Sequence, residues 1–170
     1  MREHTWKPGQ VFVFGSNLMG MHAGGAARFA VERCMAEDGV GQGFASTASY
    51  ALPTCSTPGQ PLSLETVRAA VTLFIAVAKL YLDLYPNLTF FVTAVGCGIA
   101  GFAHEDIAPM FRNAPSNCIL PPEWDELSSV QPRGAELSDK IAASSMAANK
   151  SFAEPDGPEA RSWRNIWGWR

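Results

Sequence analysis

The residues best suited to chemistry in this chain gather in and beside two glycine-rich stretches, GSNLMGMHAGGAA over residues 15–27 and GCGIAG over residues 96–101. Glycine lets backbone N–H groups approach a ligand closely, and a helix starting behind such a loop adds partial positive charge, so each stretch suits an anion such as a phosphate. In the first stretch, His22 carries an imidazole that titrates near neutral pH. It is either a general acid or base, or a residue that hydrogen-bonds its own loop. Ser16 would hydrogen-bond a phosphate or sugar, or shape the turn. In the second, Cys97 is either a thiol whose pKa the surrounding N–H groups would lower, or a small filler of the loop. His104, Glu105 and Asp106 follow closely, where acids at a helix start are ordinary dipole partners and a proton-transfer role is the alternative. The four cysteines show no metal-ligand spacing, and no metal site is expected.

A chain of 170 residues has room for one ordinary α/β domain and a short extension, and it can bury a full core without staples. The net charge of −3 and the lack of a Lys/Arg-rich stretch argue against nonspecific nucleic-acid binding and against an anionic membrane surface, both of which need a basic patch. A phosphorylated small molecule needs none, because backbone amides can hold it. Cysteines at 34, 55, 97 and 118 form no CxxC pair, which predicts reduced thiols. The opening MREHTWKPGQ lacks the apolar core of a signal peptide, and the longest apolar run, residues 69–78, is interrupted by Thr72 and too short for a bilayer. A soluble, cytoplasmic protein is expected.

The elements that must position these loops are legible in outline. Runs reading as buried strands, VFVF at 11–14 and TFFVTAV at 89–95, precede the two glycine stretches. Residues 25–36 place Ala27, Ala30, Val31, Cys34 and Met35 at helical spacing, with Gly39 as a stop. Residues 40–53 read as a loop feeding a short strand at SYAL. Ser63 and Glu65 open a long helix that runs through Leu82 and cannot pass Pro86. Its AVTLFIAV segment is apolar nearly all round, which predicts cover on more than one side. A short helix near residues 105–112, a strand at CIL (118–120) and a closing PPEW complete a domain over residues 1–127. This alternation predicts a mainly parallel sheet flanked by helices. Residues 128–170 read as a C-terminal extension in which 135–150 are weakly helical, and Trp163, Ile166, Trp167 and Trp169 share one apolar face. That face either folds back on the domain or serves a contact, including a homodimer or a partner of an interaction module.

GCGIAG also fits the GxGxxG dinucleotide fingerprint, with Glu123 at about the spacing of a ribose-binding acid, but such a fingerprint opens its domain, whereas this one comes late. The order FGSN, a Gly-Gly step, a segment ending LPT, a long helix, then GCG-x-AG, EDIAP and LPPEW instead resembles the small macrodomain-like proteins common in phages and bacteria. The resemblance covers roughly residues 11–124 and implies a macrodomain-like three-layer α/β/α domain. It implies binding of ADP-ribose or another NAD-derived nucleotide, with no further cofactor. Asn17 would address the distal ribose, and Gly24, Gly25 and Ala26 would receive one phosphate. Gly96, Cys97, Gly98, Ile99, Ala100 and Gly101 would wrap the other, with Phe102 packing on a base or ribose. Gly15, Ser16 and His22 complete the expected contacts.

No G-D-I segment stands before Val11 to supply the acid that contacts adenine in the usual macrodomain, which leaves Trp6 or Phe44 to stack a base. As an ADP-ribosyl hydrolase the protein would act at the distal ribose, with Asn17 orienting ribose or water and His22 or Asp106 assisting proton transfer. The alternatives are a non-enzymatic sensor or sponge of a nucleotide signal, as a phage counter-defence protein would be, and an interaction module built on the Trp-rich tail.

Overall fold

The computed structural model describes residues 5–127. The expected helix over 135–150 and the apolar face of Trp163, Ile166, Trp167 and Trp169 lie outside the described residues. The elements run β1 (Val11–Asn17), α1 (Gly25–Cys34), β2 (Gly43–Ser46), β3 (Ser49–Thr57), β4 (Gln60–Pro61), α2 (Leu64–Leu84), β5 (Phe90–Val92), α3 (His104–Ile107), a 3₁₀ turn (Ala108–Phe111), β6 (Cys118–Ile119) and a second 3₁₀ turn (Pro122–Trp124).

The protein is α/β, with six strands in one sheet of order β2-β3-β1-β5-β6, and β4 pairs on β3. Strands β3, β1, β5 and β6 are parallel neighbours, but β2 and β4 both run antiparallel to β3, so the sheet is mixed rather than mainly parallel. Two local reversals account for this. Ser46 Oγ accepts from the Ala48 N–H at 3.0 Å and closes a tight turn between β2 and β3, where the sequence reading has only loop. Gly59, with φ +79, turns the chain back for β4.

Strand alternation divides the core between the two faces of the sheet. Val11, Val13, Tyr50, Leu52, Phe90 and Val92 point to one face, which α2, Ile107, Phe111 and Trp124 cover. Phe12, Phe14, Ala51 and Phe91 point to the other, where α1 packs through Ala27, Ala30 and Cys34. Those small residues let α1 lie close on a row of phenylalanines. Two members of the expected stripe are not in it: Val31 is 39% and Met35 63% exposed. Met35 adopts a left-handed φ of 55 and ends α1 before Gly39 is reached.

Helix α2 starts as expected, with Ser63 accepting from the Thr66 N–H at 3.2 Å and Glu65 in the first turn. It buries one stripe through Val67, Ala70, Val71, Phe74, Ile75 and Ala78. Among the described residues nothing covers a second side, where Leu73 and Leu80 are half exposed. Buried Asn117 ties the C-terminal half of α2 to the sheet, its side-chain Nδ2 donating to the Ala78 carbonyl at 2.9 Å while its backbone carbonyl accepts from the Phe90 N–H.

The two strands that feed the glycine stretches, β1 and β5, are adjacent and parallel. From β1 the chain passes to α1 on one face; from β5 it passes to α3 and the Ala108–Phe111 turn on the other. Connections that leave neighbouring parallel strands toward opposite faces part above their carboxyl ends and open a crevice there.

Candidate functional site

Above these strand ends lies a cleft of about 560 Å³. Strand β1 runs three residues beyond the expected VFVF, so Gly15, Ser16 and Asn17 are strand residues that form its floor rather than a loop. Glycine keeps this floor closely packed, because a β-carbon at Gly15 would stand 3.3 Å from both the Gly96 nitrogen and Thr54 Oγ1, so a side chain there needs a neighbour to shift. Strand β5 stops at Val92, short of the expected residue 95. Thr93 still donates through both N–H and Oγ to the Val13 carbonyl, and the Val95 N–H then turns back to the Thr93 carbonyl at 2.7 Å.

The first wall is organised by Asn17, whose side chain is buried in its own loop. Nδ2 donates to the Met21 carbonyl at 2.8 Å, and Oδ1 accepts from the N–H groups of Met19 (3.1 Å) and Met21 (3.2 Å). This clamp delivers Gly24, Gly25, Ala26 and Ala27 to the cleft. Helix α1 begins there with Gly24 as its N-cap and no capping side chain, so its first-turn N–H groups are not taken by a capping side chain at the cleft.

The second wall is two consecutive tight turns, closed by Cys97 N–H to Ala94 O (3.1 Å) and Gly101 N–H to Gly98 O (2.9 Å). Among the described residues, the N–H groups of Gly98, Ile99 and Ala100 donate to no acceptor. The Phe102 N–H closes the base of the loop on the Gly96 carbonyl at 3.0 Å. Ile99 leans across to the first wall, its Cδ1 3.4 Å from where a β-carbon at Gly24 would be.

Eleven of the expected contact residues therefore meet in one cleft: Gly15, Ser16, Asn17, Gly24, Gly25, Ala26, Gly96, Cys97, Gly98, Ile99 and Ala100. The rest do not line it. His22 is 4% exposed and lies edge-on to Phe14 at 5.0 Å, so its ring is packed beneath the first loop and not in the cleft. Its ring nitrogens have no hydrogen-bond partner among the described residues, while its backbone N–H donates to Asp38 Oδ1. Gly101 and Phe102 lie outside the lining; Phe102 packs against the core under Gly96, 3.0 Å from where a β-carbon on Gly96 would sit. Asp106 sits in the first turn of α3, its N–H on the Ala103 carbonyl, and does not reach the cleft. Trp6 packs on Phe12 and Phe29, and Phe44 on Tyr50 and Tyr81, so neither faces a ligand in the cleft.

Sequence reasoning missed one end of the cleft and did not bring together the residues of the other: it read His104 with Glu105 and Asp106 at a helix start, proton transfer being the alternative, and Glu123 only as the acid of the dinucleotide fingerprint. Thr54, Cys55, Pro58 and Gly59 close the side of β3, and His104 and Glu123 the side of β6. The signal for the first was the Pro-Gly pair after SYALPT; the second brings together residues 19 positions apart, and no local pattern joins them. His104 is held by the indole of buried Trp124, whose Nε1–H donates to Nδ1 at 2.9 Å. Cys97 is not activated: burial pushes its thiol up to about 11, and the negative charges of Glu123, Glu105 and Asp106 add to the rise, which reverses the expected lowering. Among the described residues, none that lines the cleft is Lys or Arg.

All four cysteines are free. Among the described residues no cluster of His, Cys, Asp and Glu is arranged to hold a metal ion, and no helix is long and apolar enough to cross a membrane. Compared with protein-family models, curated proteins and solved structures, the chain matches none.

Proposed function

We propose that this protein binds an ADP-ribose-type or other NAD-derived nucleotide in the cleft above β1 and β5, on a macrodomain-like three-layer fold. One observation carries the reading. At the point where the chain leaves adjacent parallel strands toward opposite faces, backbone N–H groups that have no partner among the described residues line both facing walls, and no described basic side chain lines the cleft. Backbone dipoles of this kind hold phosphate oxygens at close range. Two such walls suit a diphosphate better than a single phosphate. A volume of about 560 Å³ falls within the roughly 300–1,000 Å³ of small-molecule sites.

Binding without turnover, as a sensor or sponge of a nucleotide signal, is the form these residues favour. The Asn17 amide is committed to its loop, the His22 ring lies under it, Asp106 is outside the cleft and the Cys97 thiol is held protonated. None of these groups is placed to activate a water at the distal ribose. Calorimetric titration with ADP-ribose, followed by chromatography of the same samples, tests both levels. Heat with intact ligand is expected; a new product would restore the hydrolase, and no heat would remove ADP-ribose as the ligand.

A further inference from the structure

The apolar run inside α2 predicts cover on more than one side, and among the described residues only one side has it. We propose that a second copy of this chain covers the other side, packed antiparallel along α2. The stripe from Val67 to Ala78 faces the sheet, while Ala69, Leu73, Ala76, Leu80 and Leu84 are all exposed. The three leucines are 50%, 54% and 59% exposed. Positions 69, 73, 76 and 80 are spaced by four, three and four residues, the repeat of a helix–helix seam rather than of scattered surface residues. No residue of α2 lines the cleft, so this pairing leaves the cleft of each copy open and does not rest on the nucleotide reading.

Two features fit the seam to itself. Leucine and alanine alternate along it, so two copies running in opposite directions set Leu73 against the partner's Ala76 and Leu80 against the partner's Ala69. Each large side chain then meets a small one, and every contact occurs twice about a twofold axis. The charges beside the seam match in the same register. Arg68 near the start of α2 and Asp83 near its end lie on one flank of the seam, both exposed, and neither forms an ion pair among the described residues. With Leu73 opposite the partner's Ala76, Arg68 falls opposite the partner's Tyr81, about 3 Å along the axis from the partner's Asp83. A parallel pair would instead set each charge against its own kind, which is destabilising. One helical face is small beside the roughly 800 Å² per partner of a standard interface, so the dimer is expected to be reversible at micromolar concentrations.

The test is sedimentation velocity of the full chain from about 1 to 300 μM, on the wild type, Leu80→Glu, Arg68→Glu, Asp83→Arg and the double charge variant. The wild type is expected to pass from monomer to dimer across this range. Leu80→Glu is expected to raise the dimer Kd at least about tenfold, and to melt like the wild type in dilute solution, because Leu80 is half exposed and glutamate is a good helix former. Arg68→Glu and Asp83→Arg each place like charges together and are expected to raise Kd by roughly threefold. The double variant restores the pair with its signs exchanged and is expected to return Kd to within about twofold of the wild type, a recovery that loss of folding cannot produce. A wild type that stays monomeric throughout overturns the proposal. So does a dimer untouched by Leu80→Glu, which would place the contact elsewhere, the Trp-rich tail included. Charge effects that add in the double variant instead of cancelling overturn the antiparallel register.

Discussion

Gly98→Glu is the most direct perturbation of the proposed phosphate site, because Gly98 lies in the middle of the second wall with nothing within 4 Å of a β-carbon built on it. Its backbone is not in the left-handed region, so a larger residue meets neither a clash nor strain there. The new carboxylate would share the cleft with a phosphate held by the N–H groups of Gly98, Ile99 and Ala100. At about 5 Å separation and an effective dielectric near 20, one pair of like charges costs about 3 kcal/mol. That corresponds to roughly two orders of magnitude in Kd. Calorimetry against ADP-ribose reads the loss, and repeating it at high salt is expected to narrow the gap, since screening weakens an exposed charge pair. Gly98→Ala is the control: it keeps every N–H and adds a methyl to open space, and it is expected to bind within about threefold of the wild type. If Gly98→Glu melts like the wild type and binds ADP-ribose with unchanged affinity, no phosphate sits at the second wall.

Asn17→Ala removes three hydrogen bonds within the first loop, at about 1 kcal/mol each, and is expected to lower stability by about 2–3 kcal/mol in urea denaturation together with a loss of ADP-ribose affinity. An unchanged urea midpoint with lost affinity would mean that Asn17 touches the ligand and does not clamp the loop. Stability is expected to fall at alkaline pH. Burial holds Cys34 and Cys97 up at about 11 and Cys118 at about 12, from an ordinary 9.0. With folded values raised, the unfolded chain releases these protons first. The associated stability is present below pH 9 and is lost between pH 9 and 12, at no more than about 1.4 kcal/mol per pH unit for each thiol. Melting temperatures that stay flat from pH 8.5 to 11 would contradict that burial.

What could be read in advance followed from local rules. Ser63, Glu65 and Pro86 bracket α2 because capping and the missing proline N–H act within one turn. The two glycine stretches announced the cleft because a β-carbon at Gly15 would crowd Gly96 and Thr54, and Gly96 takes a left-handed φ of 79 with Phe102 against it. The errors came where tertiary contacts decide. The apolarity of Val31 and Met35 fitted a helical stripe, yet the sheet beneath α1 is already filled by Phe12, Phe14 and Phe91 and accepts only the alanines and Cys34. β2 escaped notice because GFAS is short and glycine-led, and it becomes a strand through its pairing with β3. His22 was drawn into the site by its position in the loop; sequence does not say that the ring turns down onto Phe14.

The same geometry bears on whether the cleft binds or reacts. Nearness in sequence suggested a catalytic group in each glycine stretch, His22 and Cys97, and in each case the fold withdraws it, one ring under its loop and one thiol kept protonated. The titratable side chains that remain against the cleft are His104 and Glu123, beside the cysteines. His104 spends Nδ1 on Trp124 and so presents a donor, which orients a ligand but does not take a proton from water. Among the described lining residues, exposed Glu123 is the one carboxylate, on the turn that follows β6. With the His22 ring packed under its loop and the Cys97 thiol kept protonated, the described lining fits the proposed binding without turnover.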